Sequence, residues 1–190
     1  MYVAFEGNTG AGKTTVAQLV AKALGYACVL EPGSHELDSL YDRIEEEPLA
    51  VQLHCLAHRI TGQHAVRAHR GGGVVTDFHF LKDKVYADIW LSGESHAAYC
   101  ELFHSILSLA EEPDLLVVLG APTDELLARS AQRDDREFET FVDAEFLDRL
   151  QAAMNANLLH AVSCPRVTID TTQLPWPLNP EDVLKQIGLR

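Results

Sequence analysis

One string near the N-terminus constrains this chain more than anything after it: Gly7-Asn8-Thr9-Gly10-Ala11-Gly12-Lys13-Thr14. It satisfies GxxxxGK[ST], and its setting gives the string its meaning. Before it runs Met1 to Phe5, a short apolar strand, and after it Lys13 to Leu24 carries Val16, Leu19, Val20 and Ala23 at helical spacing. A strand that turns through glycines into a helix can aim backbone N–H groups inward at phosphate oxygens. The helix adds its positive N-terminal end, and Lys13 adds a full charge. Thr14 is then set to ligate magnesium. Gly7 to Thr14, with Thr15 just behind, are therefore expected to hold the phosphates of a nucleotide.

The rest of the chain repeats strand and helix. A second strand, Ala27 to Leu30, ends at Glu31-Pro32-Gly33; a third, Val74 to Thr76, follows Gly71-Gly72-Gly73 and ends at Asp77. Leu115 to Leu119 is continuously apolar, as expected of a strand covered on both faces, and Arg166 to Ile169 supplies a fifth. Helices are expected over Leu49 to His69, Lys82 to Leu91, Ala97 to Ala110, Asp124 to Gln132, Asp143 to Ala161 and Glu181 to Ile187. Such alternation implies a parallel sheet. The fold class is α/β: a P-loop three-layer α/β/α sandwich with a five-stranded parallel sheet. No linker or repeat divides the 190 residues, so 1–190 reads as a single domain.

Composition narrows the partners. A formal charge of -13 opposes non-specific attraction to nucleic acid or to an anionic membrane, which leaves small molecules. No apolar run approaches the ~20 residues that span a bilayer, and the N-terminus lacks the pattern of a signal peptide, so the expected location is the cytoplasm. Cysteines at 28, 55, 100 and 164 form no CxxC pair and read as small core residues in a reducing compartment. His54 and His58 have the spacing of paired metal ligands, but without HExxH or a third ligand they are not read as a metal site.

A phosphate loop alone does not separate a kinase from a switch GTPase. Asp77 is followed by Phe78-His79-Phe80 rather than the rest of a DxxG switch, and no NKxD occurs, which favours a small kinase. In an open parallel sheet the ligand lies beyond the carboxyl ends of the strands, where Glu31 and Asp77 stand. A kinase must accept the proton of its substrate hydroxyl and hold magnesium on the transferring phosphoryl group; these two carboxylates can divide those tasks. Arg129, Arg133 and Arg136 fall within eight residues of a chain with only 15 basic ones, and Arg129 and Arg133 are helical neighbours. An arginine-bearing lid over roughly 129–139 is expected to neutralise charge on the moving phosphoryl group. A solvated mixed-charge helix is the competing reading.

With these residues in view, the chain resembles the deoxynucleoside kinase family, salvage enzymes that phosphorylate the 5′-hydroxyl of deoxynucleosides, over nearly its whole length. The resemblance rests on the phosphate loop, on Glu31 after the second strand, on Tyr41, and on a Q-x-x-x-x-x-x-R helix running from Gln52 to Arg59. It implies Glu31 as general base, with Thr14 and Asp77 placing magnesium. Gln52 and Asp83 would face the base, Arg59 would sit beside the reacting 5′ end, and Tyr41 would hold the sugar. The segment Arg129 to Glu139 resembles the family's R-x-x-x-R-x-R-x-x-E lid with one extra residue, which makes Glu139 the ligand of the 3′-hydroxyl. The pattern departs at Phe78, where an arginine is usual after the strand-end acid. ATP as donor, Mg2+, a homodimer and a purine deoxynucleoside as acceptor are further implications, as for bacterial deoxyadenosine and deoxyguanosine kinases. The rivals are a nucleoside monophosphate kinase such as thymidylate kinase, and a catalytically weak nucleotide-binding regulatory subunit suggested by Phe78.

Overall fold

A computed structural model describes residues 1–31, 43–132, 142–175 and 177–189. Strand β1 (Tyr2–Gly7) lies at the centre of a five-stranded sheet with β3 (Val74–Thr76) on one side and β4 (Leu115–Gly120) on the other. Strand β2 (Ala27–Val29) pairs with β3 and β5 (Arg166–Asp170) with β4, and every pairing is parallel. The register sets Ala4 beside both Thr76 and Leu116, and Gly7 beside Leu119. All carboxyl ends therefore open onto one edge. β1 is buried along its whole length because helices cover both faces of the sheet.

Helix α1 (Lys13–Leu24) starts directly from the glycine turn and buries Val16, Ala17, Val20 and Ala21. Helix α2 (Pro48–His69) begins at a proline, whose missing N–H costs nothing in a first turn. Its buried face mixes Val51, Leu56 and Val66 with Gln52, Arg59 and Gln63. Next come α3 (Lys82–Trp90), α4 (Gly93–Ile106) with a 3-10 turn at Leu107–Leu109, and α5 (Thr123–Ser130). Helix α6 (Ala144–Ala153) is capped by the Asp143 carboxylate, which accepts the Phe146 N–H. A short α7 (Leu159–Ala161) and a closing α8 (Pro180–Gln186) complete the described helices.

Two apolar cores result. The larger wraps the sheet and joins Phe5, Leu116 and Val117 to Val20, Leu147 and Leu150. The smaller lies among α2, α3 and α4, where Leu56, Phe80, Ala87, Leu91, Tyr99 and Phe103 cluster. There Phe103 stacks on Phe80 at 5.4 Å and on Tyr99 at 6.2 Å between ring centroids. Burying each such ring contributes about 1.5–3 kcal/mol. This second core fixes α2, which carries Gln52 and Arg59, against α3, which carries Asp83.

Three expectations change. The segment Asp143 to Ala161 is helical as expected from Ala144 onward but not α-helical throughout: a π turn at Met154–Leu158 separates α6 from α7 and buries both Met154 and Leu158. Helix α4 starts at Gly93, ahead of the expected Ala97, and its inward rings pack on α2 and α3. Cys28 is exposed and the other three cysteines are half-buried, so none is a fully buried core residue. Cys28 lies on β2, an edge strand, where cover is incomplete. No helix among the described residues is long and apolar enough to cross a membrane.

Candidate active site

Where β1 ends, the chain turns through a loop pressed against its neighbours. A Cβ at Gly7 would lie 2.2 Å from the Leu119 carbonyl oxygen, and one at Gly10, where φ is +79°, would lie 2.6 Å from that of Leu126. Only glycine fits either position. Asn8 pins the loop by donating to the Leu147 carbonyl at 2.8 Å, while its own side-chain oxygen accepts the Thr9 N–H at 2.9 Å. The Lys13 ammonium folds over the loop and donates to the Gly7 and Asn8 carbonyls, each at 3.0 Å. Burial and the nearby charge of Lys82 pull its pKa down to about 8. Thr14 and Thr15 open the helix on its exposed side.

Beside this loop a chain of polar contacts ties four segments together. Thr14 donates its hydroxyl to Asp77 Oδ2 at 2.6 Å, and Asp77 Oδ1 accepts the Glu31 N–H at 2.8 Å. The Glu31 carboxylate is gripped on both oxygens, by Arg59 on Oε1 at 2.6 Å and by Lys82 on Oε2 at 2.7 Å. Arg59 also donates to Asp83 Oδ1 through Nε at 3.2 Å and Nη2 at 2.9 Å. Burial alone would raise the Glu31 carboxyl, but Lys82, Arg59 and Lys13 outweigh it and hold Glu31 far below the usual carboxylate range. Burial likewise disfavours the Lys82 ammonium, and Glu31 with Glu6 reverses that, so Lys82 stays charged. A carboxylate ionised at neutral pH, beside a phosphate cradle and at a strand end, can accept a proton from a hydroxyl brought to it.

The strand-end segment is itself braced. Glu6, fully inside β1, accepts the Gly7 N–H at 2.9 Å and the His79 N–H at 3.0 Å, and burial raises its pKa. His79 accepts the Leu81 N–H on Nδ1 at 3.2 Å, which leaves its proton on Nε2, and burial pushes its pKa down to about 4. Phe78 lies with its ring against Gly62, where a Cβ would come within 2.8 Å of it, and under the Arg59 guanidinium at 4.7 Å. Position 78 thus serves as packing beneath α2.

Of the residues singled out in the sequence, Lys13, Thr14, Glu31, Asp77, Arg59 and Asp83 come together in this network. Gln52 is buried nearby on α2, seven residues before Arg59. Among the described residues neither of its amide atoms has a hydrogen-bond partner, nor do Asp83 Oδ2 and the Tyr99 hydroxyl. Arg129 stands apart from the network at the end of α5, bonded to Glu125 at 2.8 Å and to the Thr171 hydroxyl at 2.8 Å. Tyr41, Arg133, Arg136 and Glu139 lie outside the described residues. His54 and His58 bring their Nε2 atoms to 2.9 Å on the exposed side of α2. The Asp88, His96 and Cys100 ligand atoms lie within 4.8 Å of one another, but Lys84 already pairs with the Asp88 oxygen that His96 meets.

Sequence reasoning missed Glu6 and Lys82. For Glu6 a signal existed, a charge inside an otherwise apolar strand one residue before the loop. Lys82 had none, since a lysine opening a helix next to Asp83 reads as ordinary surface charge.

Compared with known proteins, the deoxynucleoside kinase family model matches residues 3–187. The chain is 28% identical to the deoxyguanosine kinase of Bacillus subtilis (strain 168) over 156 residues, covering 78% of this chain and 74% of that one. With the deoxyadenosine/deoxycytidine kinase of the same strain, identity is 27% over 193 residues, covering 95% and 87%. The fold matches that of M. mycoides deoxyadenosine kinase with bound dATP at a TM-score of 0.80 and 20% identity, over 99% of this chain and 100% of the other. Since the family match runs from the first strand past the last helix, and the acid, phosphate loop and Gln–Arg helix all fall within it, the chain belongs to the deoxynucleoside kinase family.

Proposed function

We propose that this chain transfers the γ-phosphoryl group of ATP to the 5′-hydroxyl of a deoxynucleoside, with purines preferred, in nucleotide salvage. The observation that carries the reading is Glu31, an ionised carboxylate tied through its own N–H to Asp77 and through Asp77 to Thr14 of the phosphate loop. Lys13 and the loop N–H groups hold the donor. Glu31 takes the proton of the 5′-hydroxyl, the 5′-oxygen bonds to the γ-phosphorus, and the bond from that phosphorus to the β–γ bridging oxygen breaks to release ADP. For magnesium, the pairing of a threonine hydroxyl with a carboxylate matches the hard oxygen donors that ion takes, so Thr14 and Asp77 would hold it. When bound, it supplies positive charge to the phosphate oxygens.

Gln52 is the group on which the base preference rests. Its amide has a donor and an acceptor side by side, both buried without partners, and that pair complements the amino group and ring nitrogen of adenine. The unpartnered Asp83 Oδ2 can accept from a further amino group. Thymine carries no exocyclic amino group, and the names of the relatives compared above point the same way. Tyr41 and Glu139 remain assigned to the sugar, and Arg129 and Arg133 to transition-state charge. A homodimer stays part of the reading, supported by the exposed Leu53 on α2 and Leu102 on α4, helices that pack together.

The test is product analysis. The purified chain is incubated with ATP, magnesium and each of the four deoxynucleosides in turn, with thymidine monophosphate as a fifth acceptor, and the products are weighed by mass spectrometry. Formation of deoxyadenosine or deoxyguanosine 5′-monophosphate at the highest kcat/KM is expected. Thymidine as best acceptor overturns the base assignment, thymidine diphosphate as main product favours a monophosphate kinase, and no turnover at all favours a regulatory subunit.

A further inference from the structure

We propose that Lys82 supplies the cation that the deoxynucleoside kinase pattern draws from an arginine after the strand-end acid, moving from Glu31 onto the oxygens of the transferring phosphoryl group. The proposal rests on the kinase reading above and concerns which residue of this chain completes its charge.

Phe78 occupies the arginine's place in the sequence, and its surroundings rule out a substrate-facing role. The side chain is 2% exposed, closed on one side by Gly62 and on the other by the Arg59 guanidinium. Any cation serving the strand-end site must therefore come from elsewhere. Arg59 is committed twice over, with Nη1 on Glu31 and with Nε and Nη2 on Asp83. Lys13 is folded onto the loop carbonyls. Lys82 differs from both. It enters the site from the first position of α3, four residues past Phe78, and is 8% exposed.

An ammonium has three N–H donors. Among the described residues the one hydrogen bond of the Lys82 ammonium goes to Glu31 Oε2, at 2.7 Å. A buried cation with donors to spare, next to a phosphate cradle, is complementary to an anion with several oxygens. The same contact competes with a hydroxyl for Glu31: with Arg59 on one oxygen and Lys82 on the other, each oxygen already accepts one charged donor and its negative charge is partly neutralised. Movement of the ammonium onto a phosphoryl oxygen serves both groups, since it leaves Oε2 more basic toward the 5′-hydroxyl and brings positive charge to the group being transferred. The lysine stem, unlike the forked guanidinium of Arg59, is long and flexible, and besides Glu31 its ammonium meets only the face of the Tyr86 ring, at 5.7 Å, among the described residues. Lys82 stays protonated throughout, so the step needs no proton beyond the one that Glu31 accepts.

The test is a steady-state comparison of the full chain with Lys82→Ala, Lys82→Arg and, as a neighbouring control on the same helix, Lys84→Ala, using ATP and the best deoxynucleoside. Turnover by the unaltered chain reads the kinase assignment, and the ratio of variant to unaltered kcat reads Lys82, so the two ideas fail separately. Loss of one electrostatic donor to a transition state costs about 10² to 10³-fold in kcat. Lys82→Ala should fall by that factor with both KM values within about threefold. Lys82→Arg should recover to within tenfold, and added ethylammonium should raise the turnover of Lys82→Ala alone. Should the alanine variant fail to fold, Lys82→Gln, which keeps a donor for Glu31 but not the charge, takes its place. A kcat within threefold of the unaltered chain overturns the proposal. So does a loss carried entirely by KM, or a folded variant that neither arginine nor amine restores.

Discussion

The phosphate loop and the charged network beside it share one edge of the sheet and are built in opposite ways. The loop is a run of consecutive residues whose ligands are backbone N–H groups, held by glycines pressed on the carbonyls of Leu119 and Leu126. The network consists of side chains apart from the Glu31 N–H that meets Asp77, and its contacts join residues far apart in the chain: Arg59 with Asp83, Lys82 with Glu31, Thr14 with Asp77. A backbone site fails when its path is obstructed. A network of buried charges fails when one member is removed, because the partner left behind keeps its desolvation penalty without the attraction that offset it.

The largest expected effect separates the two regions by function. Glu31→Gln removes the proposed proton acceptor and leaves the loop untouched, so kcat should fall by about 10² to 10⁴-fold while ATP affinity by titration calorimetry changes little. A kcat within a few fold of the unaltered enzyme moves the base elsewhere. Next is Arg59→Ala, which strips Glu31 and Asp83 of a shared cation that is 8% exposed. Breaking a buried pair in this way costs about 3–5 kcal/mol, measurable by urea unfolding. A loss below about 1 kcal/mol, the range of surface pairs, means that water reaches the network.

A pH experiment sharpens the comparison on the buried side. His79 has a pKa near 4 when folded, against an ordinary value of 6.5, because burial disfavours its charged form. Between those values the unfolded chain binds the extra proton, so stability from this group is complete above pH 6.5 and declines as pH falls toward 4. The full effect is about 3 kcal/mol at most. His79→Asn keeps an acceptor for the Leu81 N–H without titrating, and its stability should be flatter across that window. An identical slope in both proteins removes His79 from the account. The smallest effect belongs to the loop: Gly10→Ala forces a side chain into a left-handed conformation that costs about 1–3 kcal/mol, and nucleotide affinity should drop along with stability. Unchanged affinity in a less stable protein separates the loop's packing from its binding role.

Much of the fold could be read directly. The five strands fall where apolar runs meet glycine and acid punctuation, and the parallel sheet follows from their alternation with helices. Glu31 and Asp77 were identifiable because a strand end next to a phosphate loop is a position with few structural uses for an acid. The pairing of Gln52 and Arg59 came from their helical spacing and from family resemblance. Local pattern did not foretell the π turn of Met154–Leu158, where both end residues are buried, nor the start of α4 at Gly93.

By itself, then, the sequence determined the phosphate loop, the order of strands and helices along the chain and the acids at the strand ends, because each depends on residues close together and on backbone rules. Only the tertiary structure decided which charges meet. That Lys82 meets Glu31, that Phe78 is packing for Gly62, and that Glu6 braces both the loop and His79 all depend on contacts between distant segments. A charged residue has the same letter whether water or another charge surrounds it, and burial is set by the packing of α2 and α3 on the sheet.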